Sequence, residues 1–245
     1  MARMKISAIS DVHVKQPGDE ADQLLCRFLD HPLVRSSDVI ALLGDIFDLM
    51  CGPHRQYLLD YAHIFSRLED LKMSGKTIIF SEGNHDVHLE RLFSLRWPKG
   101  DILPTQEKVL LQLDGKSYYF SHGDEHEVEN HAYQKYKRTI LSSPLRFVAN
   151  YIMPYHVLKF VGERASKKSR KKGSKYFDAE KVRKEFRKGV ETTTAGDYDF
   201  VLGGHSHVQD EFRFGRSTYL NNGYALKTGT FIYIEDHKPR FEKLV

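Results

Sequence analysis

The sequence predicts an α/β sandwich interrupted by a helical insertion, and three features carry that expectation. Strand-like and helix-like patterns alternate from residue 5 to about residue 86, which implies a parallel sheet with helices packed on it. Two alternating strands then flank Asp114-Gly115, a dipeptide that favours a type I′ hairpin. Strand patterning disappears between about residues 127 and 195 and resumes at "DFVLGGHSH". The expected organisation is one domain over residues 1–245, carrying a helical, apolar and basic insertion at about 127–195.

The elements follow in order. Lys5 to Ser10 reads as a short buried strand ending at "SDVH". Leu24, Leu25, Phe28 and Leu29 form the apolar stripe of a helix over Asp19 to Asp30. The second strand, "SDVIALLGDIFD", is apolar from Val39 to Leu43 and stops at Gly44. Leu58, Tyr61, Phe65, Leu68 and Leu71 stand at helical spacing between Arg55 and Met73, with Gly75 as the stop. A third strand, "KTIIFSEGNHD", ends in glycine and polar residues, and the hairpin "KVLLQLDGKSYYFSHGD" follows. After the insertion, "VQDEFRFG", "STYLNNG" and "TGTFIYIED" read as strands.

Composition bounds the function. Of 245 residues, 40% are hydrophobic and 12% aromatic, which suits a globular chain rather than a disordered one. Cys26 and Cys51 lack metal-type spacing, so a reducing compartment is expected. "MARMKISAISDVHV" runs straight into a strand pattern, so no signal peptide is expected, and no window is apolar for long enough to span a bilayer. The net charge of +4 is unevenly spread: Arg164 to Lys188 holds twelve Lys/Arg and three acids, leaving the rest of the chain acidic. That run is either a solvated loop or a face for phosphate, membrane or nucleic acid.

Five strand ends carry the same kinds of side chain. Asp11 and His13 sit in "SDVH", Asp45 in "LLGDIFD", Asn84 and His85 in "EGNHD", His122 and Asp124 in "SHGD", and His205 and His207 in "GGHSH". A lone Asp-x-His is usually a turn. Five such clusters, each closing a strand with glycine beside most of them, exceed what folding requires, because strand ends of an α/β sheet converge on one crevice. Carboxylate, imidazole and carboxamide without thiolate suit Mn²⁺, Fe or Zn²⁺. Seven donors are too many for one ion and enough for two sharing a carboxylate, an arrangement that serves in-line displacement at phosphorus.

D-x-H, G-D-x-x-D, G-N-H-D, H-G-D and G-G-H-x-H, in that order, resemble the calcineurin-like metallophosphoesterases. The resemblance implies a four-layer α/β/β/α sandwich and a binuclear centre, with Mn the first choice of ion and Fe or Zn as alternatives. It places Asp11, His13, Asp45 and His207 on one ion, and Asp45, Asn84, His122 and His205 on the other. Asp45 would bridge, and the paired histidines of "GGHSH" would serve different ions in space cleared by Gly203 and Gly204. His85 matches the family's histidine near the leaving group, a proton donor or charge stabiliser. Asp48, Asp86 and Asp124 are expected to orient ligands.

The insertion's position, its apolar-then-basic character and the "LLGDIFD" wording are similar to the bacterial UDP-2,3-diacylglucosamine pyrophosphatase group of lipid A synthesis. That group carries arginine after the asparagine of G-N, where this chain has His85. The resemblance implies a lid in which Phe147, Val148, Tyr151, Ile152, Tyr155, Leu158, Phe160 and Val161 line an acyl chamber. Arg164, Lys167, Lys168 and Arg170 would meet phosphate or anionic lipid heads. The alternative for the apolar set is packing of the insertion onto the sheet. The expected reaction releases UMP from a nucleotide-linked lipid, in the cytoplasm and at the periphery of a bacterial inner membrane. A phosphatase or phosphodiesterase for another small or nucleic-acid phosphoester is the alternative, and a non-enzymatic scaffold is disfavoured by the intact donor set. Glu125, His126, Glu127 and His131 read as a solvated helix start, and Asn222-Gly223 as a turn.

Overall fold

The computed structural model describes residues 4–160, 164 and 178–244. Lys167, Lys168, Arg170 and Val161, all expected near substrate, lie outside the described residues. Strands β1 (Lys5–Ile9), β2 (Val39–Leu43), β4 (Thr77–Ser81) and β6 (Pro104–Thr105) run parallel. They share a six-stranded sheet with β12 (Thr230–Glu235) and β13 (Lys238–Lys243), in the order β13-β12-β1-β2-β4-β6. The second sheet has the order β10-β11-β9-β8-β7, from β7 (Val109–Leu113), β8 (Lys116–Phe120), β9 (Phe200–Gly203), β10 (Gln209–Phe214) and β11 (Ser217–Asn222). A short parallel pair, β3 (Met50–Cys51) and β5 (Asp86–Val87), stands apart.

Burial explains the layering. β2, "VIALL", is buried at every position, as a parallel strand covered on both faces must be. Ile6, Ala8, Val39, Ala41, Leu43 and Ile79 of the first sheet meet Tyr118, Phe120, Phe200, Leu202 and Leu220 of the second. The outer face of the first sheet, with Ile40, Leu42, Phe80 and Phe231, is covered by α1 (Glu20–Asp30), α4 (Ala62–Met73) and α5 (Glu90–Arg96). The outer face of the second, with Tyr119, Val201 and Tyr219, takes Phe186 and Val190 of the helix Ala179–Thr194. The order is therefore helix, sheet, sheet, helix, the four-layer sandwich expected.

Local chemistry sets the boundaries. Asp19 Oδ1 accepts the Asp22 N–H at 2.8 Å and starts α1. Asp114 and Gly115 both have positive φ (48° and 77°), as a type I′ hairpin requires. The single helix expected over residues 55–73 is two, α3 (Arg55–Asp60) and α4, broken at Tyr61 with φ −110° and ψ 26°. The final strand β13 carried no expectation from sequence. Between the short helical turn Asp124–His126 and β9 lie α6 (His131–Ile140), α7 (Ser143–Phe147) and the helix Ala179–Thr194. No helix among the described residues is long and apolar enough to cross a membrane.

Candidate metal centre

Strands of both sheets end at one place. β1 runs into Asp11 and His13, β2 into Asp45, β4 into Asn84, β8 into His122, and β9 into His205 and His207. One donor atom from each of Asp11, His13, Asp45 and His207 lies within 4.8 Å of the others. His13 Nε2 faces His207 Nε2 at 3.2 Å, and His207 Nε2 is 3.3 Å from Asp11 Oδ1. Opposite them, His205 Nδ1 faces His122 Nε2 at 3.2 Å, with Asn84 Oδ1 3.4 Å from the same His122 nitrogen. Asp45 Oδ2 stands between the two groups, 3.8 Å from His13 Nε2 and 3.7 Å from His122 Nε2. All seven candidate donors therefore gather in one place, with one carboxylate oxygen between the two groups.

The donor set fits a pair of cations. Two ring nitrogens 3.2 Å apart can both reach about 2.1 Å from one ion between them. Each neutral ring carries one N–H and one lone pair, so a facing pair can share a hydrogen bond, or both lone pairs can turn to one cation. Burial pushes the His13 imidazole down to about 4, against the pull of Asp45, so it is a neutral donor at neutral pH. Burial also lowers His122, but Asp45, Asp11 and Asp124 outweigh it and raise the imidazole to about 9. Cation binding beside His122 is thus coupled to proton release. Burial opposes the Asp45 carboxylate, yet His85, His122 and His13 around it hold its pKa well below the usual range.

Backbone geometry marks the same residues. Asp11, His13, Asp45, His205 and His207 all have positive φ, between 51° and 66°. Asp and His tolerate this region better than most residues, but each instance still costs free energy, and such strain clusters at functional sites. Gly83 and Gly204 make the crowding possible. A Cβ on Gly83 would stand 2.2 Å from Asp45 Oδ1, and one on Gly204 would stand 2.4 Å from Ser10 Oγ and 2.5 Å from Asp11 Oδ2. Gly203, also expected to clear space, meets only ordinary contacts, the nearest at 3.6 Å.

Neighbouring side chains hold the donors in place. Asp86 accepts the N–H groups of Asp45, Ile46, Phe47 and Gly83, fixing the two loops that carry Asp45 and Asn84. Burial and the Asp45 charge push Asp86 up to about 7, opposed by those N–H donors. Asp48 Oδ1 lies 3.7 Å from His13 Nδ1. His85 Nδ1 is 2.8 Å from the Asp48 carbonyl oxygen, to which it donates. That contact fixes its tautomer and leaves Nε2 as the nitrogen able to exchange a proton. His85 packs edge-on against His13 with ring centres 4.9 Å apart.

Several expectations change. Asn222, expected in a turn, is the last residue of β11 and is fully buried; its carboxamide bonds the Ser10 N–H, carbonyl and Oγ, bracing the loop that carries Asp11. Glu125, His126 and Glu127 are not a solvated helix start. His126 is buried, Glu125 accepts from Tyr119 Oη at 2.9 Å, and Glu127 Oε2 pairs with His205 Nε2 at 3.1 Å. Folding against the helix Ala179–Thr194 is what encloses this cluster. In the insertion, Phe147, Tyr151, Ile152 and Phe160 stand at the surface, 55%, 65%, 61% and 58% exposed. Tyr151 lies under the Arg91 guanidinium at 4.4 Å, and Arg164 covers the Phe160 ring at 4.9 Å. Tyr155 is half-buried, edge-on to Tyr57, and donates to Asp60 Oδ2 at 2.9 Å, so it ties the insertion to α3.

A four-layer sandwich whose strand ends gather two carboxylates, four imidazoles and a carboxamide defines a metallophosphoesterase. The family model described as calcineurin-like phosphoesterase matches residues 4–209, and the chain belongs to that family. Among curated relatives, the UDP-2,3-diacylglucosamine hydrolase of Photorhabdus laumondii is 31% identical over 132 residues, 54% of this chain and 53% of that protein. Its namesake in Pasteurella multocida is 26% identical over the same shares. The match to these two spans about half their length. The Histophilus somni protein of that name is 24% identical over 203 residues, 82% of this chain and 83% of its own. Solved structures with similar folds include an archaeal phosphodiesterase (14% identity, TM-score 0.49, covering 98% of this chain and 99% of that one). A phosphoesterase from E. coli is also similar (15% identity, TM-score 0.48, covering 98% and 93%).

Proposed function

We propose that this chain is a binuclear-metal-dependent pyrophosphohydrolase that releases UMP from UDP-2,3-diacylglucosamine or a closely similar nucleotide-linked lipid. The observation that carries the hydrolase reading is Asp45 Oδ2, held between two facing histidine pairs. In this reading Asp11, His13, Asp45 and His207 hold one divalent ion and Asp45, Asn84, His122 and His205 the other. Manganese is the first choice, with iron or zinc as alternatives. Two such ions supply Lewis acidity to the phosphoryl oxygens and a more acidic water. His85, with Nδ1 held by the Asp48 carbonyl, hands a proton from Nε2 to the departing oxygen.

The substrate assignment rests on the insertion together with the names of the curated relatives. Exposed Phe147, Tyr151, Ile152 and Phe160 lie beside cationic Arg91, Arg146, Lys159 and Arg164, a pairing suited to acyl chains below charged head groups. The same face supports peripheral contact with an anionic membrane on the cytoplasmic side. With Mn²⁺, the purified protein is expected to release UMP from UDP-2,3-diacylglucosamine faster than it turns over cyclic nucleotides, nucleoside diphosphate sugars or an aryl phosphate, and a chelator should abolish all turnover. Preference for a soluble or nucleic-acid phosphoester over the lipid overturns the substrate assignment while leaving the hydrolase reading intact.

Replacing Phe147 and Ile152 together by serine is expected to lower kcat/KM on the lipid substrate by about 10- to 100-fold, from the apolar burial each side chain can supply. Aryl phosphate turnover should stay within about twofold, because surface substitutions away from the metal loops act weakly elsewhere. Sedimentation with vesicles containing anionic lipid should fall in parallel. Equal losses on both substrates would remove the insertion's apolar face from the account.

A further inference from the structure

The two halves of the donor cluster are braced by different parts of the molecule. Around Asp11 and His207 the supports belong to the sandwich. Ser10 Oγ donates to Asp11 Oδ2 at 2.6 Å, Asn222 at the end of β11 holds Ser10, and the Tyr224 ring stacks on His207 with centres 5.5 Å apart. Around Asn84 and His205 the supports come from the start of the insertion. Tyr133 on α6 donates from Oη to Asp124 Oδ2 at 3.0 Å and lies 3.3 Å from Asn84 Oδ1, while its ring centre is 4.9 Å from that of His205.

Other contacts bind α6 to the same stretch. Lys137 Nζ donates to Asp124 Oδ1 at 2.7 Å, and Gln134 Nε2 donates to the carbonyls of Asp124 and Glu127, each at 3.2 Å. Asn130 caps α6 by accepting the Tyr133 N–H at 3.0 Å, and its Nδ2 donates to Glu127 Oε1, also at 3.0 Å. Glu127 Oε2 in turn takes His205 Nε2 at 3.1 Å. With Nε2–H committed to Glu127, the lone pair on His205 resides at Nδ1, the nitrogen that faces His122.

We infer that Tyr133 and Glu127 are positioning residues for one ion of the pair, the one assigned to Asn84, His122 and His205, and that α6 acts on that ion's affinity more than on the other's. The inference rests on the two-ion reading of the cluster. Tyr133 holds Asp124, touches Asn84 and covers His205, while Glu127 fixes the tautomer and ring orientation of His205. Among the described residues, the supports around Asp11, His13 and His207 come from the sandwich. Since α6 opens the segment assigned to substrate, whatever shifts α6 must alter this ion's affinity, and the ion must bias α6 to the same extent.

The test is stepwise Mn²⁺ binding to the full chain, followed by titration calorimetry and by the spin-coupled signal of a manganese pair in electron paramagnetic resonance. Wild type should take up two ions. Tyr133→Phe, which keeps the ring and removes the hydroxyl, is expected to weaken the second binding step by about 10- to 100-fold and leave the first unchanged, the usual range for a group that orients a ligand. The coupled signal should give way to that of an isolated ion. Glu127→Ala should behave alike, and Glu127→Gln should recover part of the loss because an amide oxygen still accepts from His205. Circular dichroism and a thermal melt report whether each variant is folded. Variants that bind both ions as wild type does, or that weaken both steps equally, overturn the inference. A wild-type protein that takes up only one ion instead sinks the two-ion reading beneath it.

Discussion

Asp45→Asn is expected to lower phosphoester turnover by about a thousandfold or more, with the fold intact. The asparagine Oδ1 can still accept the His85 N–H that Asp45 Oδ1 now accepts at 2.9 Å. The Asp86 carboxylate takes the N–H groups of residues 45, 46, 47 and 83 without using the residue 45 side chain, so those contacts persist. What disappears is the anionic oxygen that stands between the two donor groups, 3.8 Å from His13 Nε2 and 3.7 Å from His122 Nε2. Charge stabilisation at a two-cation site contributes several kcal/mol, and about 4 kcal/mol corresponds to three orders of magnitude in rate. Turnover measured across a Mn²⁺ titration checks this, since weaker binding alone would be recovered at high metal. If the variant retains both ions and turns over within tenfold of wild type, Asp45 does not bridge.

The strand-end clusters were legible in the sequence because each is local. Asp-x-His, Gly-Asp, Gly-Asn-His, His-Gly-Asp and Gly-Gly-His-x-His each follow directly on an apolar run, and strand direction carries all of them to one edge. The hairpin at Asp114-Gly115 was legible for the same reason. Glu127, Tyr133 and Asn222 were not, because their roles depend on partners remote in the chain. Asn222 meets Ser10 only when the two sheets pack, and Glu127 meets His205 only when β8 pairs with β9. A run such as "DEHEVENH" looks solvated in isolation; the helix Ala179–Thr194 is what buries its His126. The apolar stretch from Phe147 to Phe160 divides between its two readings. Tyr155 and Leu158 pack against the body of the protein, whereas Phe147, Tyr151, Ile152 and Phe160 are exposed. Sequence patterns report how apolar a segment is, and not which partner covers it.

The second large effect is expected at Gly204, a residue with no functional group of its own. In Gly204→Ala, the new methyl would begin 2.4 Å from Ser10 Oγ, 2.5 Å from Asp11 Oδ2 and 2.5 Å from Ser10 Cβ. None of these neighbours can easily retreat. Ser10 is buried and held by Asn222 through both main chain and hydroxyl, and Asp11 is fully buried, receiving the His205 N–H at 3.0 Å. Overpacking of this kind costs about 1–3 kcal/mol, which lowers the melting temperature by about 2–4 °C per kcal/mol in a chain of this size. The effect on activity should be larger than the effect on stability. Relief of the clash must part the β1 loop from the β9 loop, separating Asp11 from His207, now 3.3 Å apart. A displacement of about 1 Å in a reacting constellation can cost about a hundredfold, so turnover should fall by at least that factor. Gly203→Ala supplies the comparison, because its Cβ would meet nothing closer than 3.6 Å; it should keep most of its activity. Similar losses in both variants would mean that the glycine pair serves the path of the chain rather than the spacing of the donors.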